Sequence, residues 1–352
     1  MGLYGPEIIF FALWLGWWLD RRLGEPMFWH PLVGFGRLVQ WMELSLNPKA
    51  QALADSAKES SHGLMRKQIP NQASKPEQFL GCLALVLMVL PLTYGLWFLL
   101  AGLKEQSVSE LGYWYDFFAI LLQGAVLYIA LGAKSLDQHL EQIERPLLAG
   151  DLEQARYYVS WIVSRDTADM NQMRITRAAI ESGLENGSDG AFAPIFWFLV
   201  AGAPGVLLYR LSNTLDAMWG YKTARFLSFG WAAARFDDLL NIVPARLTAL
   251  LYALNTPLGW AGFKASLACW QKQGGNWESP NAGPVMAAGA GALKIQLGGG
   301  DTYHGVWKER PVLGLGADPV IDDLPRARHL IKRTLLSWML LGSSAVFIVG
   351  LL

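Results

Sequence analysis

Long uncharged runs alternate along this chain with short, densely charged stretches, and the apolar runs predict helices of membrane length. Four qualify. Leu3–Leu19 is short and interrupted by Glu7; Phe79–Leu103 is the strongest and carries Pro91 inside it; Phe117–Ala133 is the third; Leu335–Leu352 is the last. Two further runs are broken, Gly190–Tyr209 by Pro194 and Gly202-Ala203-Pro204-Gly205, and Leu247–Phe263 by Pro257. They predict re-entrant or half-buried segments, because irregular backbone at membrane depth is tolerated only where protein or a polar cavity covers it. A pair of full crossings is the alternative. No run shows the two-residue alternation of a strand. The prediction is therefore an all-α polytopic integral membrane protein, a single domain over residues 1–352, with about four to six membrane helices.

Polar stretches set the orientation. Arg21, Arg22, Arg37, Lys49, Lys58, Arg66, Lys67 and Lys75 lie between the first two predicted helices, and Lys104 is the one cation between the second and third. Positive charge collects on the cytoplasmic side. The first loop and the region 134–333 are thus expected to face the cytoplasm from an inner membrane, as cytoplasmic helical and loop motifs. Asn47–Glu77, rich in Ser, Ala, Gln and Lys, predicts a loop insertion, partly helical or disordered.

Composition sharpens this picture. Only 16% of residues are charged, against about 25% in soluble domains. Acidic and basic residues balance at 29 each, which argues against a nucleic-acid partner. Many of the 16 Trp residues lie near the ends of apolar runs, where amphipathic rings favour the membrane boundary. The two Cys lack metal-ligand spacing, so neither a zinc site nor a disulfide is expected. Charge follows the first apolar run rather than preceding it, as in an uncleaved anchor.

Charges next to apolar helices cost free energy unless paired or used, and between residues 164 and 310 they recur in three groups. Arg165-Asp166-Thr167 opens a helix on which Arg177, Glu181 and Glu185 share one face at i, i+4 and i+8, with Asn186 and Asp189 following. A salt-bridged surface helix is the plain alternative. In the second group, Arg210, Asn213 and Asp216 precede Arg235, Asp237, Asp238, Asn241 and Arg246. Carboxylate and amide oxygens at these spacings suit Mg²⁺ when substrate phosphates complete its shell; helix capping is the alternative for any one of them. The third group holds Asn281 in Ser279–Pro284 and the run Leu297–Gly305, with His304, Lys308 and Arg310 close by. Glycine-rich backbone can present N–H groups to phosphate, although no Gly-Lys-Ser/Thr follows and a plain loop is the default. Near the N-terminus, Asp20, Gly24-Glu25-Pro26, His30-Pro31 and Gly36-Arg37 form a compact polar motif, in which His30 reads as structural or substrate-contacting.

Taken together in chain order, these stretches resemble the CobD/CbiB family of adenosylcobinamide-phosphate synthases. The resemblance is carried by Asp20…Gly24-Glu25-Pro26…His30-Pro31, Arg165-Asp166-Thr167, Glu181…Glu185-Asn186…Asp189-Gly190 and Arg210…Asn213-Thr214-Leu215-Asp216. It continues through Arg235…Asp237-Asp238…Asn241…Arg246, Ser279-Pro280-Asn281-Ala282-Gly283 and Leu297-Gly298-Gly299…Tyr303-His304-Gly305. The chain departs from the family pattern at Ser164, at Gly187-Ser188 and in a longer polar loop. The resemblance implies ATP-dependent amide ligation of (R)-1-aminopropan-2-ol phosphate, or ethanolamine phosphate, to adenosylcobyric acid, giving adenosylcobinamide phosphate. For that chemistry, Glu181, Glu185 and Asp189 are the candidate catalytic groups, accepting the amine proton or orienting the ammonium. Arg165, Arg177, Asn186, Arg210, Asn213, Arg235, Arg246, Asn281 and His304 are the candidate substrate and phosphate ligands. Asp216, Asp237 and Asp238 are the candidate Mg²⁺ ligands, with ATP as cosubstrate. The expected partners are the corrinoid, the amino-alcohol phosphate and the bilayer, with a homo-oligomer or other cobalamin-assembly enzymes allowed. Two rival readings remain: a non-enzymatic membrane regulator of the related AmpE-like type, and a transporter.

Overall fold

The computed structural model describes residues 4–26, 31–53, 73–107, 112–303 and 305–351. Its helices, in order, are α1 (Pro6–Leu23), α2 (Pro31–Leu46), α3 (Lys75–Gln106), α4 (Gly112–Ala130), α5 (Ala133–Ala149), α6 (Leu152–Val159), α7 (Gln172–Gly187), α8 (Ala193–Trp219), α9 (Trp231–Leu254), α10 (Gly259–Gln273), α11 (Ala282–Leu293) and α12 (Asp323–Leu351). A π-helical turn, Ser188–Phe192, joins α7 to α8. The protein is an all-α polytopic membrane protein with little sheet.

Four helical runs are long and apolar enough to cross a membrane: Lys75–Gln106, Gly112–Ala149, Gln172–Trp219 and Asp323–Ile348. On α3, Phe79, Leu83, Val86, Leu87, Leu90 and Phe98 are exposed. Bare apolar surface of this kind needs lipid rather than water around it. Pro91 sits inside α3 without ending it, as the sequence predicted. The first expected span differs: α1 carries Glu7, Asp20, Arg21 and Arg22 within 18 residues and is not among the four. The last begins earlier than expected, because the basic stretch before Leu335 continues the same helix.

Gly190–Tyr209 is helical with one break. It lies within a helical run long enough to cross, and the break is confined to Ala201 (φ −138°) and Gly202 (φ 65°). Gly202 has left-handed backbone, and a Cβ there would stand 2.9 Å from the Gln123 Oε1, so glycine is required on both counts. The Ala203 N–H donates to that same oxygen at 3.4 Å, a local remedy for backbone freed by the break. The 247–263 run is interrupted between α9 and α10, where Pro257 falls. Of the polar 47–77 insertion, residues 54–72 lie outside the described residues, as does His30.

The expectation of no strands is corrected. The Gly-rich run and its sequel form four three-residue strands: β1 (Gln296–Gly298), β2 (Asp301–Tyr303), β3 (Val306–Lys308) and β4 (Val312–Gly314). β1 pairs antiparallel with β4 and β2 with β3, one hairpin nested within another. Three-residue strands are too short to show alternation, which is why the pattern missed them.

Contacts divide the chain into two compact units. The first comprises Met1–Gly16, Pro26–Ala130 and Val200–Leu240; the second comprises Trp17–Glu25, Leu131–Leu199 and Asn241–Leu352. The first unit's core gathers Phe35, Val39, Met88, Leu215, Trp219 and Phe229, with the Trp219 and Phe229 rings edge to face at 4.9 Å. In the second unit, α11 is buried along its whole length. Its small residues let neighbours close in: a Cβ on Gly289 would meet Leu184 of α7 at 2.6 Å, and one on Gly291 would meet the Ser266 backbone of α10 at 2.7 Å. That packing seats α7, the helix carrying the first charged group, against the helix that leads into the β-hairpins.

Candidate functional site

The second unit holds a buried arginine–carboxylate network. α7 starts at Asn171, whose side chain caps the Arg174 N–H at 2.9 Å, and it presents Arg174, Arg177, Glu181 and Glu185 along one side. Glu181, 2% exposed, is saturated. Its Oε2 accepts from Arg165 Nη2 at 2.7 Å and Arg310 Nη1 at 3.0 Å, and its Oε1 accepts from the Gly298 N–H at 2.6 Å. Asp301, fully buried, accepts from Arg165 Nη1 at 2.9 Å and from Arg174. Arg165 thus bridges two buried carboxylates. Burial works against its charge, but Glu181 beside it outweighs burial and raises its pKa. For Asp301, burial alone would raise the carboxyl; hydrogen bonds from Arg174 and Arg165 prevail and hold it below the ordinary range.

The nested hairpins roof this network. Asp166 anchors them, taking the Gly305 N–H on Oδ2 at 2.7 Å and donating its own N–H to the Thr302 carbonyl at 2.9 Å. Gly298 (φ 77°), the last residue of β1, and Gly299 (φ 73°), just after it, have left-handed backbone. A Cβ at Gly298 would lie 2.0 Å from the Pro311 carbonyl oxygen, and one at Gly299 would lie 3.2 Å from Arg177 Nη1. The Arg310 guanidinium donates to the Gly299 carbonyl at 3.0 Å and packs 5.2 Å from the Trp277 ring centre.

Four guanidiniums therefore face two saturated carboxylates, and Arg177 is the one left over. It is 9% exposed, donates to the Gly300 carbonyl at 3.2 Å, and makes no ion pair among the described residues. Its Nε has no hydrogen-bond partner there. A buried guanidinium without a carboxylate is costly to keep. One turn beyond Glu181, the partly exposed Glu185 makes no hydrogen bond among the described residues, yet lies within electrostatic reach of Arg165 and Arg310. Asn186 turns back onto its own helix, donating to Ser182. Asp189 stands in the π turn after α7. Arg246 and Asn281, 35 residues apart, meet at 2.6 Å. His304 lies outside the described residues.

In the first unit, Arg210 donates to Asn213 at 3.4 Å, and the Asn213 amide donates to Asp237 at 3.3 Å. Asp216 lies on α8, and Arg235 pairs with Asp238 at 3.3 Å on an exposed face. Burial raises the Asp238 carboxyl against the lowering effect of Arg235 and Lys222. Among the described residues, no three His, Cys, Asp or Glu side chains are grouped to hold a metal. The expected Asp216–Asp237–Asp238 trio is therefore not a preassembled set. Asp237 and Asp238 are successive helical residues and diverge by about 100°.

The structural members that sequence reasoning left off the site are Asp301, Arg174 and Arg310. Asp301 sits in the Gly-rich run and Arg174 one helical turn before Arg177; an unpaired Asp in an otherwise uncharged run was the available signal.

These features define a polytopic helical membrane protein with a buried arginine–carboxylate network. Residues 13–331 match the family described as CobD/Cbib protein. The chain is 48% identical over 334 residues to cobalamin biosynthesis protein CobD of Chromobacterium violaceum, covering 94% of this chain and 95% of that one. To the protein of the same name in Stutzerimonas stutzeri it is 47% identical, covering 92% and 93%; to that of Geobacter metallireducens it is 35% identical, covering 84% and 83%. No solved structure matches. The chain belongs to the CobD/Cbib family.

Proposed function

We propose that this protein serves cobalamin biosynthesis as an amide-forming ligase, joining (R)-1-aminopropan-2-ol phosphate or ethanolamine phosphate to adenosylcobyric acid at the expense of ATP. Family membership supports the pathway. The observation that carries the chemistry is Arg177, a buried guanidinium that makes no ion pair among the described residues while Arg165, Arg174 and Arg310 beside it pair with Glu181 and Asp301.

A carboxylate is a poor electrophile. Transfer of the ATP γ-phosphoryl group to it gives an acyl phosphate and ADP; the amine nitrogen then attacks the acyl carbon, phosphate leaves, and the nitrogen gives up a proton. Arg177 binds the phosphate of the amino alcohol or of the acyl phosphate. Glu181 is committed to two guanidiniums and a backbone amide, so it positions the arginines, and the proton-accepting role narrows to Glu185 and Asp189. Magnesium bound with the nucleotide would offset phosphate charge, and Asp216, Asp237 and Asp238 are the candidate oxygen donors for it. The motifs face the cytoplasm in this reading, where ATP is available.

The test is ligation by the purified protein in detergent with adenosylcobyric acid, either amino-alcohol phosphate, ATP and Mg²⁺, followed by mass. ATP-dependent adenosylcobinamide phosphate supports the reading. No product from folded protein with either amine would shift the assignment to a non-catalytic regulator of the AmpE-like type.

A further inference from the structure

Away from the arginine network, the second unit has a cleft of about 270 Å³ where the end of α1, the start of α5 and the first half of α12 meet. Its floor is apolar: Leu136, Leu140, Ala191, Ile331 and Leu335. Its rim is cationic. Two of the cations there are already neutralised, Arg328 by Asp137, Glu141 and Glu144, and Lys332 by Asp137 at 2.8 Å. Two are not. Arg21 is exposed and makes no ion pair among the described residues, its guanidinium lying 5.5 Å from the Trp17 ring centre. The Lys134 ammonium donates to the Arg22 carbonyl at 2.9 Å and pairs with no carboxylate there. Two further acids stand at this end of α1: Asp20, buried, takes the Lys134 backbone N–H at 3.2 Å, and Glu25 is exposed just after the helix.

We infer that this cleft binds an anionic phospholipid, its headgroup phosphate on Arg21 and Lys134 and its acyl chains on the apolar floor. Three observations select a lipid over a free phosphate ester. The cleft opens beside α12 within a candidate membrane span, where Leu336, Leu340 and Leu341 are exposed and continue the floor as lipid-facing surface. Trp17 and Trp18 flank Arg21, the residue type favoured at headgroup depth. A water-soluble phosphate would leave the floor uncovered, whereas basic pockets between membrane helices suit headgroups with chains attached. The volume suits a phosphate and its glycerol, not a corrinoid. This site is independent of the proposed ligase reaction.

Native mass spectrometry of the full chain, released from bilayers of equal phosphatidylglycerol and phosphatidylcholine, tests it. Wild type should retain phosphatidylglycerol in preference. Arg21→Gln should weaken retention about fivefold, and Arg21→Gln with Lys134→Gln roughly twenty- to thirtyfold. Arg333→Gln, an exposed cation on α12 outside the cleft, should leave it unchanged. Equal retention of both lipids, indifference to Arg21→Gln, or an equal loss with Arg333→Gln would overturn the site; the last would mean diffuse surface charge. Displacement of the lipid by millimolar inorganic phosphate would replace the lipid with a free phosphate ester. Because Arg21 is exposed, its single variant decides the matter even if the Lys134 variant does not fold.

Discussion

Asp301→Ala isolates what the buried network contributes. The carboxylate is fully buried and receives Arg165 at 2.9 Å and Arg174. Removing it strands Arg174 without a carboxylate and leaves Arg165 with Glu181 alone. Breaking a buried ion pair from one side costs about 3–5 kcal/mol, mostly the penalty of the charge left behind. At about 2 °C per kcal/mol for a chain of this size, the melting temperature in detergent should fall by roughly 6–10 °C at pH 7. The pH dependence supplies an internal check. The folded carboxyl is depressed by its arginines, so its contribution is complete above the unfolded value of about 4. It is lost as pH falls through the lower, folded value. The gap between wild type and Asp301→Asn should therefore be constant from pH 7 to about 5 and close toward the acid limit. Equal melting of Asp301→Ala and wild type at pH 7, or a gap that widens on acidification, would refute the network as a source of stability.

Three further outcomes follow from the same geometry. Arg177→Gln should raise the KM for the amino-alcohol phosphate about 10- to 100-fold, the loss of one charged hydrogen bond, with a smaller effect on melting than Asp301→Ala; an unchanged KM for both the amine and ATP would remove Arg177 from the site. Gly298→Ala should destabilise by about 1–2 kcal/mol from left-handed backbone alone, and by more because its Cβ would stand 2.0 Å from the Pro311 carbonyl; thermal melting reads it directly. Glu185→Ala should abolish ligation while membrane insertion and melting hold, and Glu185→Gln should behave the same, because shape is kept and basicity lost; full turnover in either variant leaves Asp189 as the base.

Much of this protein was legible in its sequence, because the bilayer writes its demands residue by residue. Apolar length predicts helices, since unpaired backbone is intolerable in lipid, and α3 emerged with Pro91 inside it as read. The spacing of Arg177, Glu181 and Glu185 placed them on one side of α7 before any packing was known, because 3.6 residues per turn is a local property. Long-range partnership is not local. Nothing between Arg165 and Asp301 links two residues 136 positions apart; the short strands that bring them together are too brief to announce themselves. The tertiary structure decided which charges are spent and which remain available. It committed Glu181 to two arginines and left Arg177 without an ion pair among the described residues. Sequence lists the charges, but only packing at hydrogen-bond distance determines how each is neutralised, and the charges left over carry the chemistry.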